Sequence, residues 1–116
     1  MLNQFQLIGN LTRDVEHING GTDKSRSLFD IAVNMPWKNK EGEKQEKAYF
    51  FRIKTFKGLA DTVAKHLSKG SKVFVQGYIE PTEYEKDGKK VYSTDFVAQT
   101  VEFLSAKKDK EEEKSE

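Results

Sequence analysis

The sequence predicts a small all-β domain of five strands, with one short helix between the third and fourth. Three observations carry this expectation. Apolar residues alternate with period two in several short windows, the period becomes helical in a single window, and glycine, asparagine or proline punctuates the intervals. The 116 residues suit one domain, and a hydrophobic content of 35% limits it to a small core.

The first strand lies in residues 4–12, QFQLIGNLT, where Phe5, Leu7 and Leu11 alternate and Gly9 suggests a bulge or bend. Residues 17–27 are polar, and Asn19-Gly20-Gly21 tolerates positive φ, which predicts a turn and a loop. In the second strand, SLFDIAVNM, Phe29, Ile31, Val33 and Met35 oppose Asp30, Ala32 and Asn34. Pro36 has no N–H for a sheet ladder and is expected to end this strand, leaving WKNKEGEKQEK as a charged connection. The third strand, Tyr49 to Phe56, sets Phe51, Ile53 and Thr55 on one face and Phe50, Arg52, Lys54 and Phe56 on the other.

Between Gly58 and Lys69, Leu59, Ala60, Val63, Ala64 and Leu67 form one stripe of a helix, Asp61 and Lys65 have the spacing of an exposed ion pair, and Gly70 suits the C-terminal cap. KVFVQGYIE supplies the fourth strand, Asp87-Gly88 a tight hairpin turn, and Tyr92 to Phe103 the fifth. The domain is thus expected over residues 1–106. Residues 107–116, KKDKEEEKSE, carry no apolar side chain and are expected to be disordered.

Neither a signal-like apolar run nor a stretch of about 18 apolar residues occurs, which predicts a cytoplasmic protein that does not enter membranes. The absence of cysteine removes disulfides, thiolate metal sites and thiol nucleophiles together. His17 and His66 stand without a ligand or nucleophile at a recognisable spacing, no phosphate-binding Gly-rich motif occurs, and the carboxylates cluster in charged loops and the tail. No enzymatic activity, cofactor or metal is expected on these grounds.

Net charge is only +1, yet residues 38–72 hold ten basic and four acidic groups. A local excess of this kind can serve as a footprint for polyphosphate. Binders of single strands that tolerate any sequence stack bases on aromatic rings while lysine and arginine follow the phosphates. Phe50, Arg52, Lys54 and Phe56 provide both on one side of a strand, about 7 Å apart. Were that side core instead, Arg52 and Lys54 would be buried between two phenylalanines at high cost, and Phe51 and Ile53 already offer a core face. A protein interface built on Phe50 and Phe56 would also tolerate the cations at its rim.

Trp37, beside Pro36 and near Lys38 and Lys40, reads as a further stacking platform. Tyr84 reads either way, because Glu83 and Glu85 beside it repel phosphate. Lys57 and Lys72 complete the candidate cations.

Over residues 3–104 the chain resembles bacterial-type single-stranded DNA-binding proteins. The resemblance lies in the order and spacing of NQFQLIGNLTRD, DIAVN, FFRIKTFKGLAD, HLSKGSKVFVQGYIE and VYSTDFVAQTVEFL. It implies a five-stranded oligonucleotide/oligosaccharide-binding (OB) barrel, assembled as a homotetramer or a dimer, that coats single-stranded DNA in replication, recombination and repair. It implies stacking by Trp37, Phe50, Phe56 and Tyr84, a phosphate contact by Arg52, and subunit contacts by the first strand (Phe5, Leu7) with Phe51 and Phe74, a role that competes with a plain core role for the same residues.

Three departures stand out. Glu80-Pro81-Thr82-Glu83 replaces the arginines common in the family, Lys57-Gly58 replaces Gly-Lys, and the tail reads EEEKSE where relatives carry a long linker and an acidic tip closed by apolar residues. Recruitment of replication proteins through such a tip is therefore not expected, and a phage, plasmid or conjugative-element version would fit, as would a truncated chain. The rival reading is an OB-fold protein-interaction subunit of a primosome or replisome.

Overall fold

The computed structural model describes residues 1–104, and the expected disordered tail at 107–116 lies outside them. The elements are β1 (Phe5–Leu11), β2 (Glu16–Ile18), β3 (Arg26–Lys38), β4 (Lys44–Phe56), α1 (Lys57–His66), β5 (Lys72–Lys86) and β6 (Lys89–Phe103). Strands run in the order β1-β5-β6-β4-β3-β2, and a further pairing of β1 with β3 closes five of them into a barrel. All pairings are antiparallel except that of β4 with β6. Closure leaves no long open edge in the barrel itself.

The five expected barrel strands are present, and the sixth, β2, is a short addition pairing with β3 within the segment expected to be loop. It moves the helix to the interval between β4 and β5 in this numbering. Asn19 and Gly21 adopt positive φ in the turn that joins β2 to β3, as their residue types suggest.

Period-two alternation decides what enters the barrel. Phe5, Leu11, Phe29, Ile31, Ile53, Val73, Val75 and Ala98 form the core, and Val63 with Leu67 closes it from the helix side. The Phe96 ring meets Phe5 and Phe51 edge to face, at centroid distances of 5.3 and 5.4 Å. Ser27 and Thr55 are fully buried and bond each other through their hydroxyls. This pairing across β3 and β4 relieves the cost of taking two polar groups out of water.

Gly9 is not a bulge, for the β1–β5 register runs through it unbroken. A Cβ there would fall 2.5 Å from the Ala32 carbonyl oxygen, so the glycine permits β1 to approach β3 where the barrel closes. The register shift lies instead at Gln76/Gly77.

Pro36 does not end its strand. β3 runs on to Lys38, pairing Pro36 with Glu46, and the charged connection becomes the arm of a long β3–β4 hairpin. Among the described residues no third strand lies beside this two-stranded ribbon, so Pro36 withholds no required N–H and neither face needs apolar residues. At its tip, the Asn39 carboxamide oxygen accepts the Glu41 and Glu43 N–H groups. β5 continues past Pro81 in the same way, and Asp87 and Gly88, both at positive φ, turn it into β6.

Leu67, not Gly70, ends α1, and Gly70 lies beyond it in a turn closed by the Ser71 N–H and the Ser68 carbonyl.

Candidate nucleic-acid interface

The outward side of β4 follows directly from barrel closure. With Ile53 and Thr55 wholly buried and Phe51 packed against the core, Phe50, Arg52, Lys54 and Phe56 must face out. Phe50 is 67% and Phe56 42% exposed. Six residues of strand separate the two rings by about 20 Å, with both cations between them.

Neither cation stands alone. Arg52 lies opposite Asp30 in the β3–β4 register and donates from Nε at 2.8 Å and Nη2 at 3.3 Å to its two carboxylate oxygens. Arg13 reaches the same carboxylate at 3.3 Å, and Lys54 bonds Asp95 of β6 at 2.7 Å. The Arg52 hydrogen bond, aided by the charges of Arg52 and Arg13, holds the Asp30 carboxyl below its ordinary value against an opposing effect of burial. Asp30 in turn raises the Arg52 guanidinium.

Arg13 was missed in the sequence because it precedes β2 and meets β4 only through Asp30. No local pattern signals that meeting. On β3, Arg26 is paired with Phe56 and adds a further cation beside the face.

Trp37, 50% exposed, lies on the hairpin arm. In the ladder its side chain shares a side with Met35, Lys47 and Tyr49, opposite to that of Phe50. Together with Pro36 these four residues line a groove of about 410 Å³. The Lys47 ammonium stands 5.5 Å from the Tyr49 ring centroid, a cation–π arrangement. Lys38 ends β3 and Lys40 sits in the arm's tip, both exposed. Tyr49, like Tyr92 at 71% exposure, is an exposed ring that the sequence reading left out of the site.

The structure does not gather every candidate on β4. Lys57 does follow Phe56, with its N–H donating to the Ser25 carbonyl at 2.7 Å. Lys72 begins β5 beside Asn10, with β6 between it and β4. Tyr84 lies on the separate β5–β6 arm, opposite Val91 and 52% exposed. Its neighbour Glu83 pairs with Lys90 at 3.4 Å, which offsets part of the acidic setting.

Among the residues assigned to subunit contacts, three face inward. Phe5 is buried in the core, and Leu7 and Phe51 pack against it. In a barrel, the parity that hides Phe5 exposes the even-numbered residues of β1, so Ile8 is 50% exposed and paired with half-buried Phe74 of β5. Ile8 and Phe74 therefore form the outward apolar pair of that side.

Asp61 does not pair with Lys65 in the way its spacing suggests. Its Oδ1 accepts from the Ser25 hydroxyl at 2.6 Å and from the Gly21 N–H at 3.1 Å, and lies 2.9 Å from His17 Nε2. These bonds, that of Ser25 first, lower the Asp61 pKa. Although a serine, a histidine and an aspartate meet here, Ser25 and Asp61 both approach the same ring nitrogen of His17. A nucleophile and its orienting carboxylate need opposite nitrogens, so the cluster pins the β2–β3 segment to α1 without forming a relay. Among the described residues no group of His, Cys, Asp and Glu could hold a metal, and no helix is long and apolar enough to cross a membrane.

A closed five-stranded barrel with its helix between β4 and β5 and an outward aromatic and basic strand is an OB fold. The sequence profile of the Single-strand binding protein family matches residues 2–104, and the chain belongs to that family. It is 41% identical over 108 residues to a single-stranded DNA-binding protein of Staphylococcus aureus, covering 92% of this chain and 68% of that one. A homologue of the same description from Xylella fastidiosa is 36% identical over 112 residues, covering 93% and 81%. Among solved structures, a Plasmodium falciparum SSB in complex with ssDNA matches with TM-score 0.78 at 25% identity, covering 90% of this chain and 96% of that one. A deletion variant of the Thermus aquaticus single-stranded DNA binding protein matches with TM-score 0.80 at 25% identity, covering 91% and 52%.

Proposed function

We propose that this protein binds and coats single-stranded DNA without sequence preference, in replication, recombination and repair, as a cytoplasmic homo-oligomer, most simply a tetramer. The observation that carries the proposal is the outward face of β4, where the exposed rings of Phe50 and Phe56 flank Arg52 and Lys54. Rings can stack any base, since every base has a π-face. Trp37 and Tyr84, on the two hairpin arms, extend the path beyond the barrel, and Lys38, Lys40 and Lys57 add cations along it. Lys72 belongs to a second segment of the path on the β1–β5 side. Ile8 and Phe74 supply the apolar part of the subunit contact, a role first assigned to Phe5, Leu7 and Phe51 as well. The role is binding, without a reaction of the protein's own.

Titration with oligo-dT at low and rising salt tests the proposal. Binding that weakens steeply with salt, with quenching of Trp37 fluorescence, is expected. Absence of binding at low salt would overturn it and favour a protein-interaction subunit.

A further inference from the structure

The carboxylates on the DNA face are as informative as its cations. Arg13, Arg52 and Lys54 bring three positive charges to this side, while Asp30 and Asp95 return two negative ones through contacts of 2.7 to 3.3 Å. These five groups together carry a net charge of +1. Its carboxylates are the less exposed partners, at 23% and 20%, whereas Arg52 is 57% and Lys54 32% exposed. The anions are fixed in the strands, and the cations lie over them toward solvent.

We infer that Asp30 and Asp95 are built-in counter-anions, which hold Arg52 and Lys54 in the free protein and compete with DNA phosphate for them. This rests on the proposed binding of single-stranded DNA and adds the residues that set its strength. A phosphate approaching Arg52 must share the guanidinium with Asp30 or displace it. Displacement is eased because Arg13 contacts the same carboxylate and remains as its partner. Side-on pairing through Nε and Nη2 leaves Nη1 available, so sharing can precede displacement. Each such exchange leaves the phosphate less fully neutralised than an unpaired cation would. The protein accordingly binds more weakly, and with a shallower salt dependence, than its count of basic residues suggests.

The test measures oligo-dT affinity against salt for the full chain and for Asp30→Asn, Asp95→Asn and Asp23→Asn. Asp23 is exposed in the turn between β2 and β3, outside the residues assigned to DNA or subunit contact, and controls for the change in total charge. Asp30→Asn and Asp95→Asn should each bind about two- to five-fold more tightly at moderate salt. Each should also steepen the slope of log K against log salt by up to about 0.7. Asp23→Asn should do neither. Should Asp30→Asn fail to fold, as seen by circular dichroism, Asp95→Asn on the other strand decides alone. Folded Asn variants that bind no tighter than the wild type would overturn the inference, showing carboxylates that merely position their cations. Failure of the wild type itself to bind would instead overturn the proposed function.

Discussion

Phe50 and Arg52 are adjacent in purpose but differ in what holds them. Phe50 is the more exposed of the two β4 rings and faces only Ala32 across the ladder, so its truncation removes little from the fold. Phe50→Ala is expected to weaken oligo-dT binding by about 1–3 kcal/mol, the usual worth of one stacked base, with the melting temperature unchanged. Arg52→Ala should weaken binding less, because Asp30 already claims part of the guanidinium, and Asp30 remains paired with Arg13.

Asp61 yields a prediction in pH. Its carboxyl titrates below the ordinary 3.8 in the folded protein, so its contribution to stability is complete above that value. It is lost as pH falls through the lower, folded-state pKa. The wild type should melt above Asp61→Asn at pH 6, and the gap should narrow as pH approaches 3. A gap independent of pH would mean that the charge on Asp61 plays no part.

Strands and turns differ in how plainly they show in sequence. Inside the barrel one face is buried, and Phe29, Ile31 and Ile53 had to alternate with polar or small residues; those strands were legible. In the hairpin arm both faces meet water, so residues 44–48 form strand without any apolar period. The β2 strand, three residues long, exists through its ladder to β3, which no local pattern encodes. Gly77 illustrates the same point: a Cβ there would collide with the Val97 carbonyl at the register shift, a constraint set by a strand 20 residues away. Gly77→Ala is expected to cost about 1–3 kcal/mol in denaturant unfolding. For the site, the face of β4 was readable from parity alone. The bonds of Arg52 to Asp30 and Lys54 to Asp95 were not, since they depend on which strands become neighbours.

In the molecule as a whole, the aromatic and basic face of β4 and the apolar pair of Ile8 and Phe74 lie on different strands of the barrel. Assembly and the β4 contacts to DNA should therefore be separable. Ile8→Asp with Phe74→Asp is expected to lower the mass seen by light scattering while the barrel stays folded. Phe5→Ala should instead reduce unfolding stability by about 3–5 kcal/mol, because Phe5 belongs to the core. The barrel's outward β4 face as the seat of the single strand is tested most directly by photo-crosslinking. Oligo-dT carrying a photoreactive thymine analogue would be irradiated on the protein and the modified residues mapped by mass spectrometry. Crosslinks at Phe50 and Phe56, with others at Trp37, are expected. Crosslinks confined to the β1–β5 side, with β4 unmodified, would contradict the assignment.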